Sequence, residues 1–164
     1  MNVASIGHTF APNEGIKLAD TSLPDKTPLT RYGQSKLANI LHAKALNNLY
    51  GPLSPNSKAG NGEIWTSSVH PGLVDSGLAT KTESNWWKVS DVIAKVLRLK
   101  QDGDTGCRTS VFCAASPDMK AEQSGRYFVQ IAKLGAESAI ANDMELATKL
   151  EDWTKAEMLR EKWI

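Results

Sequence analysis

One segment constrains the fold of this chain more than any other, residues 27–52. Thr27 can cap a helix, Pro28 suits its first turn, and Gly51-Pro52 stop it, which puts the helix body at about residues 29–50. Leu37, Ile40, Leu41, Ala45 and Leu49 recur within it at helical spacing, so one face is core. The elements around it follow from shorter signals. Residues 2–5 read as the end of a strand, and 6–26, with Pro12, Gly15 and Pro24, as a long loop. A polar turn region over 51–62 leads into a strand at 63–69, which His70-Pro71-Gly72 terminates. Residues 73–85 are another loop. Val89, Val92, Ile93, Val96 and Leu97 predict a helix over 86–99, and Asp104 or Thr105 opens a further one to about Ala115. Ser124-Gly125 precedes a short strand at 126–129. Asn142, with Glu145 three residues on, resembles a capping box for a last helix running to about Trp163. Helices alternate with strands, an α/β order that usually builds a parallel sheet.

The chain has 164 residues, enough for one domain burying roughly 70% of its unfolded surface. A formal net charge of +1 supplies no basic field for nucleic acid and no acidic solvating tail. Cys107 and Cys113, the two cysteines, lie six apart on a predicted helix and point in different directions. They match no metal or redox spacing, and a reduced, cytoplasmic compartment is the simplest reading. No apolar run approaches the ~18–20 residues of a membrane span, and no signal peptide is visible. The strand at the very start, with nothing before it, looks like the interior of a larger fold.

The chemistry is concentrated on the long helix. Tyr32 and Lys36 are four residues apart and share one face. An ammonium beside a phenol favours the phenolate, and a tyrosine so tuned can give or take a proton at a carbonyl or alcohol. Taken alone, the pair is more often an aromatic and a solvated charge on a helix.

The motifs around it carry more weight. In chain order they are NVAS at a strand end, YGQSK on the next helix, HPGLVDS after the next strand, and SGRYF near the end. The ordered set resembles the short-chain dehydrogenase/reductase family. YGQSKLANILHAKAL is particularly similar to the branch holding retinol dehydrogenase-like and WW-domain oxidoreductase-like enzymes. The resemblance runs over nearly the whole chain but matches only the second half of the family's fold. It implies one partial domain over 1–164, the C-terminal half of a Rossmann-type doubly wound parallel sheet. The N-terminal half, with its glycine-rich turn, has no counterpart; Gly60 and Gly62 precede a strand instead of following one.

Carried over residue by residue, the resemblance makes Tyr32 the general acid/base. Lys36 would hold the nicotinamide ribose and favour the tyrosine's phenolate, and Ser5 would hydrogen-bond the substrate oxygen. Pro71, Gly72 and Val74 would pack against the nicotinamide, and Ser76 could reach its carboxamide or a phosphate. The implied cofactor is NAD or NADP, with NADP slightly favoured. The implied activity is interconversion of a carbonyl and an alcohol on a hydrophobic small molecule by an apparently truncated enzyme. The alternative is a non-catalytic fragment or interaction module descended from such an enzyme.

Other residues have plainer readings. Ser22 is nearer Tyr32 in sequence and rivals Ser5, but no strand precedes it. His8 reads as a loop residue, His42 as a helix-surface or edge residue, and His70 as part of a turn; the three suggest no metal. Trp86-Trp87 reads as packing of a helix start, with a substrate lid or shallow membrane contact as rivals. The last helix reads as a solvated face that leaves room for a homo-oligomer.

Overall fold

The computed structural model describes residues 1–72 and 103–164. Helix α1 spans Pro28–Tyr50, and its caps are the expected ones. Thr27 is extended, its hydroxyl accepts the Thr30 N–H at 3.2 Å, and the Gly51 N–H closes the last turn on the Asn47 carbonyl. Leu37, Ile40 and Leu41 are wholly buried and Ala45 nearly so. Leu49, expected on the same face, is exposed along with Tyr50, so the apolar stripe ends one turn before the helix does. A single turn, α2 (Pro55–Lys58), follows under a Ser54 cap.

Among the described residues, four short strands form one sheet in the order β1 (Asn2–Val3), β2 (Ser68–Val69), β3 (Tyr127–Val129), β4 (Lys133–Leu134). The first three are parallel, with Val3 beside Val69 and Val69 beside Phe128. Two expectations need correction here. The strand read over 63–69 pairs only at Ser68–Val69. Ile64 and Trp65 are exposed, and the Ile64 N–H goes to the Tyr50 carbonyl at 2.7 Å instead of to a neighbouring strand. The sheet is also mixed, because β4 runs antiparallel to β3. The turn between them puts Ile131 and Ala132 at positive φ (28° and 56°), a conformation their side chains do not advertise.

Successive residues of β3 face opposite sides of the sheet. Tyr127 joins Ala4, Leu37, Ile40, Leu41, Ala45, Ala147 and Leu150 in the larger core, beneath α1 and helix α4 (Met144–Arg160). Phe128 joins Val69, Met119 and Cys113, the last on helix α3 (Gly103–Ala115), in the smaller one. Each large apolar side chain so buried contributes roughly 1.5–3 kcal/mol. Helix α4 is capped by Asp143, whose carboxylate accepts the Leu146 N–H at 2.9 Å, and not by Asn142. The Asn142 side chain is committed to Lys44 and to the Ser138 carbonyl. The helix also ends at Arg160, short of Trp163. Its outer face is solvated and carries exposed ion pairs such as Lys149–Glu145, while Ala147, Leu150 and Glu151 are buried.

The segment between β4 and α4 is locked to α1 by a buried pair. The Lys44 ammonium lies 2.9 Å from Glu137, whose other oxygen accepts the Tyr127 N–H at 3.1 Å. The helix read over 86–99 lies outside the described residues. Among those described, no helix is long and apolar enough to cross a membrane.

Candidate active site

The strand β1 delivers Ser5 to the start of a 3-10 turn, Ile6–Phe10, within the segment read as loop. Ser5 is buried and extended, and its hydroxyl accepts the Gly7 N–H at 3.1 Å. That bond uses an oxygen lone pair and leaves the hydroxyl proton for another acceptor. The turn lies directly on α1. A Cβ on Gly33, the residue after Tyr32, would stand 2.6 Å from Phe10 and Ala11 backbone atoms, so this close approach requires glycine.

Gly7 is where the two expected catalytic side chains meet. A Cβ there would lie 2.7 Å from Tyr32 Cε1 and 3.4 Å from Ser5 Oγ, so the tyrosine ring rests on bare backbone beside the serine. Lys36, one helical turn on, holds its Nζ 5.4 Å from the Tyr32 ring centroid. The same ammonium donates to the Val3 carbonyl at 3.0 Å, as does Asn39 at 2.9 Å. Both Tyr32 and Lys36 are half-buried. Gln34, between them, faces the other way and ties down the loop, accepting from the Lys17 N–H and donating to the Thr21 carbonyl.

His8 departs from its reading as a loop residue. It is 1% exposed. Its Nδ1 is 2.8 Å from the Ser5 carbonyl, and its Nε2 accepts the Ser138 N–H at 3.3 Å. A carbonyl only accepts and an amide N–H only donates, so both bonds are made by the neutral ring with its proton on Nδ1. The ring stands edge-on to Tyr127, 5.3 Å between centroids. The Tyr127 hydroxyl is buried and has no hydrogen-bond partner among the described residues. Burial first, then the charges that Tyr32 and Glu137 carry when ionised, push its pKa up to about 12. Burial holds the His70 imidazole below its ordinary value.

Pro71 and Gly72 follow β2, and Gly72 takes φ +88°. Val74, Ser76 and Trp86-Trp87 lie outside the described residues. The rival Ser22 is turned away into Asp20, to which its hydroxyl donates at 2.6 Å. His42 sits at the helix edge with Nδ1 2.9 Å from Glu151. Among the described residues, no group of three or more His, Cys, Asp and Glu side chains could hold a metal ion. Gly7, Gly33 and Tyr127 were given no role of their own by sequence, and His8 was read only as a loop residue. The available signal was weak, small residues directly beside Ser5 and Tyr32.

No family model matches the chain. It is 43% identical over 159 residues to the short-chain dehydrogenase/reductase drtF of Aspergillus calidoustus, a match covering 96% of this chain and 49% of that protein. It is 32% identical to the chloroplastic short-chain dehydrogenase TIC 32 A of Brassica napus, over 94% of this chain and 45% of the relative. A crystal structure of an uncharacterised Mycobacterium paratuberculosis protein shares the fold at a TM-score of 0.54 and 21% identity, covering 93% of this chain and 48% of that one. The chain thus spans about half the length of these relatives, consistent with a C-terminal half. With the motif order and the α/β architecture, these matches place the chain in the short-chain dehydrogenase/reductase family.

Proposed function

We propose that this chain provides the proton-transfer site of an NAD(P)-dependent oxidoreductase that interconverts a carbonyl and an alcohol on a hydrophobic small molecule. The observation that carries the reading is the meeting of Ser5 and Tyr32 over Gly7, with the Lys36 ammonium beside the phenol ring. The Ser5 hydroxyl, already oriented by the Gly7 N–H, donates to the substrate oxygen and holds it beside Tyr32. Tyr32 gives its proton to that oxygen in reduction and takes it back in oxidation. The Lys36 ammonium stands beside the ring at which this exchange takes place, 5.4 Å from its centroid. Ile6 and Phe10, exposed on the same turn as the Ser5 cap, offer apolar surface to a hydrophobic substrate.

The nucleotide, when bound, supplies or accepts the hydride. The residues present fit its nicotinamide end. The Lys36 ammonium has three N–H groups, one of them on Val3, and can offer the others to ribose hydroxyls. Pro71 and Gly72 form the turn after β2, with the Gln130 side chain packed against Gly72, and Val74 and Ser76 complete the set carried over from the sequence. A second reading, a non-catalytic interaction module, is favoured by the match to only about half of each relative.

Calorimetry with NADH and NADPH, followed by turnover assays on hydrophobic aldehydes and ketones, separates the two. Saturable binding with turnover that Tyr32→Phe abolishes is the expected result. A folded chain that binds neither nucleotide belongs to the second reading, and turnover retained by Tyr32→Phe removes the assigned mechanism.

A further inference from the structure

We propose that His8 is a positioning residue of this site, a neutral imidazole that fixes Ser5 against a rigid anchor far away in sequence. The inference rests on the reading of Ser5 and Tyr32 as the reacting pair. Ser5 reaches its position through very little structure, a two-residue strand and a 3-10 turn. Its carbonyl is held twice by the same residue, by the His8 N–H at 3.0 Å and by His8 Nδ1 at 2.8 Å. That pair of hydrogen bonds closes the turn on which Gly7 lies between Ser5 and the Tyr32 ring. Any rotation of the Ser5 peptide would move the hydroxyl and the surface that supports the phenol together.

The other edge of the imidazole reaches the Ser138 N–H, 130 residues away. Ser138 is itself well held. Its neighbour Glu137 is clamped by Lys44 of α1 and by the Tyr127 N–H, and its own hydroxyl accepts from Ala141. The link therefore runs from a segment locked to α1, through His8, to Ser5. Histidine suits the task because its neutral ring carries a donor and an acceptor on separate edges and adds no charge to a buried position. The flat ring also packs edge-on against Tyr127. Sub-ångström placement matters here, since a misplacement of about 1 Å can cost ~100-fold in rate.

Three variants divide the two bonds. His8→Asn keeps a donor near the Nδ1 position, His8→Gln keeps an acceptor near the Nε2 position, and His8→Phe keeps only the packing. Turnover of the full chain is measured for each, with circular dichroism to confirm folding. His8→Phe and His8→Gln are expected to lose about 10- to 100-fold in kcat, with KM for the nucleotide within about 2-fold. His8→Asn is expected to recover only part of that loss, because it can still bond the Ser5 carbonyl but lets go of the Ser138 anchor. Folded His8→Phe and His8→Gln proteins with wild-type kcat would overturn the proposal.

A second readout needs no activity. In the wild-type chain labelled with 15N, imidazole spectra should show His8 as the neutral Nδ1–H tautomer, and His8→Asn should shift the Ser138 amide. An Nε2–H tautomer overturns the proposal even if no variant folds, and an unmoved Ser138 amide in folded His8→Asn overturns it as well. Absence of wild-type turnover would count against the assigned chemistry alone, and the tautomer would still decide the role of His8.

Discussion

The two faces of the sheet are held together in different ways. Tyr127 and Phe128 are neighbours in β3, yet the face under Tyr127 is threaded with buried polar groups, while the face under Phe128 is closed by Val69, Met119, Cys113 and Phe112. On the Tyr127 side lie the Lys44–Glu137 pair, the two bonds of His8 and the half-buried His42–Glu151 contact. Apolar packing is non-directional and tolerates rearrangement, whereas a buried donor or acceptor is satisfied in one arrangement only. The face that carries Ser5 and Tyr32 is accordingly the one whose geometry is specified by polar contacts.

Breaking the strongest of those contacts should have the largest effect. Lys44→Met leaves the Glu137 carboxylate buried without its partner, and unfolding stability should fall by about 3–5 kcal/mol in urea titrations. A loss below about 1 kcal/mol would put the pair among surface ion pairs and erase the contrast between the faces.

Tyr127 sharpens the comparison through pH. Its folded-state pKa of about 12 lies above the ordinary value of 10. A group raised in this way favours the folded state below its unfolded value and withdraws that support as pH rises through the folded one. About 2–3 kcal/mol should therefore disappear between pH 10 and pH 12, and Tyr127→Phe should flatten that part of the profile. At neutral pH the same substitution should cost little, because the hydroxyl it removes has no partner among the described residues. An alkaline profile identical in wild type and variant would mean that the phenol is not desolvated.

Gly33→Ala comes next. At an exposed mid-helix position this change gains about 1 kcal/mol from helix propensity. Here the new Cβ would stand 2.6 Å from backbone atoms of Phe10 and Ala11, so the expected outcome is a loss of roughly 1–3 kcal/mol and displacement of the Ser5 turn from α1. A gain in melting temperature would show that the turn yields easily.

The legible part of this molecule was whatever depends on local chemistry. Thr27, Pro28 and the stripe from Leu37 to Ala45 spelled out α1 because caps and periodicity act within a few residues. Tyr32 and Lys36 came to share one face for the same reason, whereas Ser5 was named only through the family resemblance. What stayed hidden depends on distant partners. Ile64 and Trp65 have strand-like side chains but pair with no strand among the described residues, and Asn142 looks like a cap until Lys44, far off in sequence, takes its side chain. His8 gave no sign of its role because its anchor, Ser138, lies at the other end of the chain. The turn at Ile131 and Ala132 escaped notice because neither is a residue that favours positive φ.

The smallest expected effect lies on the apolar face and completes the contrast. Cys113 is 9% exposed among Val69, Met119 and Phe128. Burial pushes its thiol above the ordinary range, so at neutral pH it stays protonated and acts as a small hydrophobe. Cys113→Val nearly conserves volume and should cost less than about 1.5 kcal/mol by urea denaturation. A thiol-reactive label on the native chain should then modify the exposed Cys107 and leave Cys113 until the protein is unfolded. Rapid labelling of both, or a Cys113→Val cost equal to that of Lys44→Met, would show that the second face is held as tightly as the first. Slow labelling with a small cost would mean that Phe128's side can be repacked while Ser5 and Tyr32 stay in place, because the described bonds that hold the Ser5 turn lie on the Tyr127 side.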